Sequence, residues 1–353
     1  MTDANQNGNE MPYSEQAQIV GADLMQKIEI ETAMKDTPPE QTSLSGIEMP
    51  NFTVFEPDIF HIEQDYNDFI NEPPPLETGF PVLDKITGGL YNGVSVIGGS
   101  SGTGKTTIAT QIAYNVASKG VKVLFLSLEM KRRHITIRNH AIHAKKYFDV
   151  FTDKEFYKKS VYPLQGSNIS IKNQTTISFT GKHKTVENVI KLINGFYSKV
   201  KNENENNEIL VIIDHLQHIR NKSLYSENSE YITLSNACDE LTEIADEKDI
   251  KILLLSQLNR GAYDTVKEKG VQMQDFKGTG KIDNNAVLLL GISKTGKYGE
   301  LKINVVKNRY GKDFDGFIYG DFNGIWIDNF TTSKEISDLT TNSGNKGGQS
   351  NAY

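Results

Sequence analysis

Eight residues constrain this chain more than any others: Gly99-Ser100-Ser101-Gly102-Thr103-Gly104-Lys105-Thr106 match G-x-x-x-x-G-K-[ST] in full. The motif follows an apolar segment, Val94–Ile97, and opens a helical pattern, Lys105–Ser118. That strand–turn–helix setting is where the motif has mechanical meaning. Its glycines let successive backbone N–H groups turn inward on phosphates, and the helix N-terminus adds positive potential. Lys105 is expected to reach the β- and γ-phosphates, and the Thr106 hydroxyl to bind magnesium. With Thr107 completing the phosphate-holding set, the expected ligands are ATP and Mg2+.

The surrounding pattern sets the fold class. Val121–Leu126 is an almost continuous apolar run, and further runs fall at Ile209–Ile213, Ile252–Leu255 and Val287–Gly291. Strands that read this way are buried on both faces. Amphipathic helices are expected between them, over Val186–Val200 and Tyr231–Glu247. Such alternation predicts an α/β protein with a mostly parallel twisted sheet and helices on both faces. After Glu300 the texture turns hairpin-like, with strands expected at Leu301–Val306, Phe314–Tyr319 and Gly324–Ile327. The parallel sheet should therefore end in an antiparallel extension, and the whole domain is expected to span residues 76–330.

Polar residues at the ends of those runs are candidates for chemistry, because open α/β sheets bind ligands outside the carboxyl ends of their strands. Glu129 follows the second run in Ser127-Leu128-Glu129-Met130. It is placed either to accept a hydrogen bond from water attacking the γ-phosphate or to cap the next helix. Asp214 ends Ile209–Asp214, the Walker B pattern whose acid holds the magnesium shell. Gln257 ends Leu253-Leu254-Leu255-Ser256-Gln257, as a γ-phosphate sensor or a surface amide. His215 and His218 read as polar and packing residues flanking Asp214, not as metal ligands.

Charge is unevenly spread along the 353 residues. Residues 1–72 hold 15 acidic and 2 basic side chains, which leaves 30 acidic against 36 basic in 73–353. An acidic leader thus precedes a mildly basic body able to hold phosphates. Residues 1–56 are polar enough to be largely disordered, as are 331–353. Between leader and body, Ile59, Ile62, Tyr66, Phe69 and Ile70 have helical spacing, stopped by Pro73-Pro74-Pro75. This linker helix, within 57–75, either packs on its own domain or docks on a neighbour. The one cysteine, Cys238, excludes an internal disulfide and a cysteine-built zinc cluster, which fits a reducing cytoplasm. No apolar run reaches membrane-spanning length, so no membrane partner is expected.

Taken together, the segments resemble the ATPase domain of DnaB-type replicative helicases from about Glu77 to Asn329. The resemblance rests on Thr78-Gly79-Phe80 through Thr87-Gly88-Gly89-Leu90, on Ser127–Met130, on Ile213-Asp214-His215-Leu216-Gln217 and on Ser256-Gln257-Leu258-Asn259-Arg260. It implies a RecA-like fold and makes Glu129 the catalytic base and Gln257 a sensor. Lys307-Asn308-Arg309-Tyr310-Gly311 is similar to the family's KxRxG segment. Lys307 and Arg309 would then reach into a neighbouring subunit's nucleotide site, with Arg309 as the arginine finger. Asp275–Ala286 resembles the family's channel-lining segment, which implies DNA-backbone contacts from Lys277, Gly278, Gly280 and Lys281. Here Lys277 stands where the family has Arg and Gly278 where it has Glu, which loses a bidentate fork. The linker helix would dock on the adjacent subunit.

The implied activity is ATP-dependent 5′-to-3′ movement on single-stranded DNA as a homohexamer. Primase, a helicase loader and single-strand-binding protein are the implied partners. Residues 1–56 are too short and polar for the family's helical collar. Two other readings stay open: a RecA-like recombinase or repair ATPase forming filaments, and a regulatory or loading ATPase that does not translocate.

Overall fold

A computed structural model describes residues 74–145, 172–179, 183–220, 228–259, 269–276, 281–311, 314–322 and 326–332, together with Tyr66, Glu155 and Val266. The leader 1–56, the linker helix apart from Tyr66, Lys277, Gly278, Gly280 and the chain beyond Thr332 lie outside the described residues.

The first element, α1 (Pro81–Thr87), starts on a proline and ends at Gly88, whose φ of 83° is left-handed. Proline at the first turn and glycine just past the last are what helix termini favour. Strand β1 (Gly93–Gly99) leads into α2 (Lys105–Ser118), then β2 (Lys122–Ser127) and α3 (Arg132–Ala144). Strand β3 (Gln174–Ser178) precedes α4 (Val186–Glu203), capped where the Thr185 hydroxyl accepts from Asn188 N. Then come β4 (Ile209–Asp214), a 3₁₀ turn (Leu216–His218), α5 (Asn228–Glu247) and β5 (Lys251–Gln257). A short α6 (Lys281–Asn285) runs directly into β6 (Ala286–Lys294), followed by β7 (Glu300–Asn308), β8 (Ile318–Phe322) and β9 (Ile327–Thr332).

Among the described residues one nine-stranded sheet results, in the order β3-β2-β4-β5-β1-β6-β7-β8-β9. Pairing is parallel from β3 through β6 and antiparallel from β6 to β9. Alternate strand residues face opposite layers, as the pleat requires. Val94, Leu124, Leu126, Val211 and Ile213 pack with α4 and α5 residues such as Val189, Ile193, Leu241 and Ile244. Ile97, Val123, Phe125, Leu210 and Ile212 pack on the other side with Ile108, Ile112 and Val116 of α2. Phe125 is wholly buried, so truncating it to alanine costs roughly 3–5 kcal/mol. Among the described residues no helix is long and apolar enough to cross a membrane.

The expected parallel core and antiparallel extension are both present. Two local expectations need correction. The strand expected at Phe314–Tyr319 lies at Ile318–Phe322, because the Asp315-Gly316 turn precedes it. The strand expected at Gly324–Ile327 lies at Ile327–Thr332, with Phe330 buried against Phe80. Strand β3 and helices α1 and α3 went unforeseen.

Candidate active site

The strand order places four chain crossings side by side, and their carboxyl ends share one edge of the sheet. In register, Gly99 pairs with Gln257 across β1 and β5, and Ser127 pairs with Asp214 across β2 and β4. Strands about 4.8 Å apart therefore gather the phosphate loop, Glu129, Asp214 and Gln257 within about 15 Å. They line one cavity of about 650 Å3, with Ser101, Gly102, Gly104, Lys105, Thr106, Thr107, Met130 and Arg138 among its other walls.

The loop from Gly99 to Gly104 is shaped by its glycines at two points. Gly104 sits at φ 101°, a left-handed conformation that turns the chain into α2. At Gly99 a side chain would meet Thr103 Oγ1 at 2.6 Å and the Ile292 carbonyl at 2.9 Å. Only glycine fits either position at low cost. Thr103 closes the turn by donating its hydroxyl to the Ser100 carbonyl at 2.9 Å. Lys105 Nζ donates to the carbonyls of Gly99 at 2.7 Å and Ser100 at 2.9 Å. Burial depresses its pKa, opposed by the charges of Asp214 and Glu129. A partly desolvated cation held on two neutral oxygens is ready to exchange them for phosphate.

Asp214 is almost completely buried. Burial pushes its carboxyl up to about 6, against the pull of the Thr106 hydroxyl, which donates to Oδ2 at 3.0 Å. A buried carboxylate beside a hydroxyl is a pair of hard oxygen donors short of positive charge, and it fits Mg2+. Arg138, on α3, supplies part of that charge; its guanidinium donates to Thr107 Oγ1 at 3.2 Å and faces Asp214.

Glu129 does not cap α3, whose N-cap is Lys131 without a side-chain bond. The Ser127 hydroxyl instead clasps the turn, donating to the Met130 carbonyl at 2.8 Å and accepting from Met130 N at 3.1 Å. Glu129 is thereby presented to the cavity, its Oε2 3.3 Å from His215 Nδ1. Burial lowers the His215 pKa to about 4, with His218 adding to the effect. Burial also lowers that of His218. Gln257 is fixed through its backbone: Gln217 Oε1 accepts from its N–H at 2.9 Å, and Gln217 Nε2 donates to Ser256 Oγ at 2.9 Å.

Three expected residues lie elsewhere. Lys307 and Arg309 stand two apart along the end of β7, and both reach α6. Lys307 Nζ donates to the Asp283 carbonyl, and the Arg309 guanidinium to that of Asn284 at 2.8 Å. Asn308, between them, points the other way and donates to the Thr87 carbonyl at 3.1 Å. Gly311 is required there, since any Cβ would strike Asn308. Lys281 pairs with Asp239 of α5 at 3.1 Å.

Sequence reasoning missed Arg138, Gln217 and Phe322. Phe322 lines the cavity with its ring against Gly104. Gln217 closes the Ile213–Gln217 segment, but nothing in that segment gave it a role; Arg138 and Phe322 carry no motif and arrive through the topology.

The chain has recognisable relatives. A family model described as the DnaB-like helicase C-terminal domain matches residues 75–316. A probable replicative DNA helicase of Trieres chinensis is 29% identical over 220 residues, 61% of this chain and 46% of that one. The replicative DNA helicase DnaC of Bacillus subtilis (strain 168) is 26% identical over 252 residues, 67% of this chain and 52% of that one. The chain thus spans about half the length of these relatives. The solved structure of a DnaB-like replicative helicase, described with its interactions with primase, superposes with a TM-score of 0.61 at 19% identity, covering 76% of this chain and 66% of that one. A second solved structure, of an isolated ATPase domain, gives 0.60 at 19%, over 78% and 99%. With the matched region covering every parallel-paired strand and every candidate-site residue except Phe322, the chain belongs to the DnaB-like helicase C-terminal domain family.

Proposed function

We propose that this chain is an ATP-driven DNA helicase motor that works as a homohexamer, moving 5′ to 3′ on single-stranded DNA. One observation carries the reading: the chemistry is divided between opposite ends of the sheet. Arg309 N pairs with the Val287 carbonyl, level with the start of β1, whereas the phosphate loop follows Gly99 at its end. Five residues of strand separate them, about 16 Å. A guanidinium side chain falls well short of that, and Lys307, which pairs with Leu289 level with Val96, is turned to the Asp283 carbonyl of α6, so neither side chain serves its own subunit's nucleotide. A second copy placed edge to end supplies them.

Lys105 would leave the Gly99 and Ser100 carbonyls for the β- and γ-phosphates. Thr106 and Asp214 would hold Mg2+, which when bound supplies positive charge to the phosphate oxygens. Glu129 would take the proton of the water that attacks the γ-phosphorus as the bond to the β–γ bridging oxygen breaks. Gln257 would register the γ-phosphate. Lys307 and Arg309 of the partner subunit would neutralise the charge that spreads over the transferring group. Phe322, a flat apolar surface beside Gly104, suits the nucleotide base. Lys281 and the segment Lys277, Gly278 and Gly280 would track the DNA backbone, and primase is a proposed partner.

Strand displacement on a forked duplex tests the reading. Purified protein should unwind it with ATP, and Lys105→Ala should abolish unwinding. Lys105→Ala and Arg309→Ala subunits, each inactive alone, should regain hydrolysis when mixed, because one seam then holds both intact residues. No recovery on mixing would place the pair in its own subunit's site and overturn the shared seam.

A further inference from the structure

We propose that Glu129, His215 and His218 form a second cation site, selective for zinc-like ions over magnesium, which clamps the Glu129 carboxylate and stops hydrolysis. The two histidines look like packing residues in the sequence; the fold adds the third ligand. They bracket the 3₁₀ turn Leu216–His218, in which the His218 N–H donates to the His215 carbonyl at 3.0 Å. Side chains three apart eclipse in that geometry, and the two imidazoles lie with ring centres 4.3 Å apart. Glu129 comes from a different strand, and its Oε2 is 3.3 Å from His215 Nδ1. One ligand atom from each of the three lies within 4.8 Å of the others.

Donors on a tetrahedral zinc stand roughly 3.3–3.5 Å apart, given metal–ligand bonds near 2.0–2.1 Å. The His215–Glu129 pair already has that spacing. Glu129 has a half-exposed side chain free to swing, so closing the set needs side-chain rotation without backbone movement. Two imidazoles and one carboxylate, with a fourth position open to water or a phosphate oxygen, are a zinc-type donor set. Magnesium takes oxygen donors and binds imidazole poorly. Two neighbouring sites are thus sorted by donor type: the oxygens of Thr106 and Asp214 for the hard ion, and the nitrogen-rich trio for the softer one. Occupying the trio commits one Glu129 oxygen to the ion and holds the carboxylate away from the attacking water. That braking effect rests on the hydrolytic role proposed for Glu129; the binding does not.

Cobalt(II), a spectroscopic stand-in for zinc, tests binding on the full-length protein without nucleotide. One equivalent should give the intense visible absorption of low-coordinate cobalt, and zinc should displace it. His218→Ala and, as a gentler change, His218→Asn should weaken binding by at least roughly 10-fold, with circular dichroism confirming that each is folded. Zinc should also slow ATP hydrolysis under excess magnesium. Each variant's zinc response, read against its own zinc-free rate, should shift to about 10-fold higher concentration or beyond. Weak octahedral-type absorption, or binding unchanged in both variants, overturns the site. A protein that binds cobalt as described but hydrolyses no ATP would retain the site and sink the functional reading instead.

Discussion

The two ends of the central sheet are finished to different degrees. At the carboxyl edge of β1, β2, β4 and β5, one chain brings Lys105, Glu129, Asp214 and Gln257 around a single cavity and fixes them through Ser127, Gln217, Arg138 and Thr106. At the far end, Lys307 and Arg309 rest on the carbonyls that close α6. Cations near the last carbonyls of a helix are favourably placed, yet no candidate-site residue lies beside them there. On the proposed function, the difference separates what a folded subunit completes alone from what only an assembly would complete. On that proposal it would also tie the far end to DNA: α6 begins with Lys281, next to the segment proposed to follow the strand, so movement of Arg309 into a partner's site would release one end of that helix.

The sharpest way to break this comparison is Arg309→Ala. In the assembled protein it should lower kcat for ATP by about 1,000-fold or more, with nucleotide binding little changed. A rate near wild type would mean that the carboxyl edge is chemically complete by itself. Next in size, Glu129→Gln should lower kcat by about 100- to 1,000-fold at unchanged KM, measured by steady-state phosphate release. If KM rises instead, Glu129 holds the nucleotide and does not activate water.

The same division decides how much the sequence could say. The phosphate loop was legible because its eight residues are contiguous and their function depends on local backbone shape. Asp214 was legible because an acid closing a buried apolar run has few other reasons to be there. Lys307 and Arg309 were assigned only through family resemblance, since a charge pair at a strand end has no local signature. Arg138 and Phe322 stayed hidden for a related reason. Arg138 reaches the cavity because α3 folds back beside α2, and Phe322 because β8 lies next to β7 and its ring meets Gly104. Strand β3, Gln174–Ser178, lacks an apolar run because among the described residues it pairs only with β2, at the sheet margin. Edge strands are not buried on both faces and need not read as such.

Phe322 offers a smaller test on the completed side. Its ring lies beside the phosphate loop with no partner for catalysis, so its effect belongs to binding. Phe322→Ala should raise KM for ATP about 5- to 10-fold, the size of one aromatic contact, while kcat holds within about twofold. A fall in kcat at constant KM would show that the ring positions the phosphate loop and not the base.

The smallest expected effect tests the unfinished side directly. If Lys307 and Arg309 are only parked on α6, the Arg309 bond to the exposed Asn284 carbonyl contributes little to the fold, because that carbonyl regains water when the donor leaves. Urea unfolding of the isolated subunit should then put Arg309→Ala within about 1 kcal/mol of wild type, far below the loss in rate expected for the assembled enzyme. The disparity matters more than either number. A residue that kept the fold together would lose stability and activity in proportion, whereas one held for a partner loses activity alone. Destabilisation of several kcal/mol, with the rate falling only as far as the folded fraction falls, would make Arg309 a structural clamp on α6 and leave the seam without its finger.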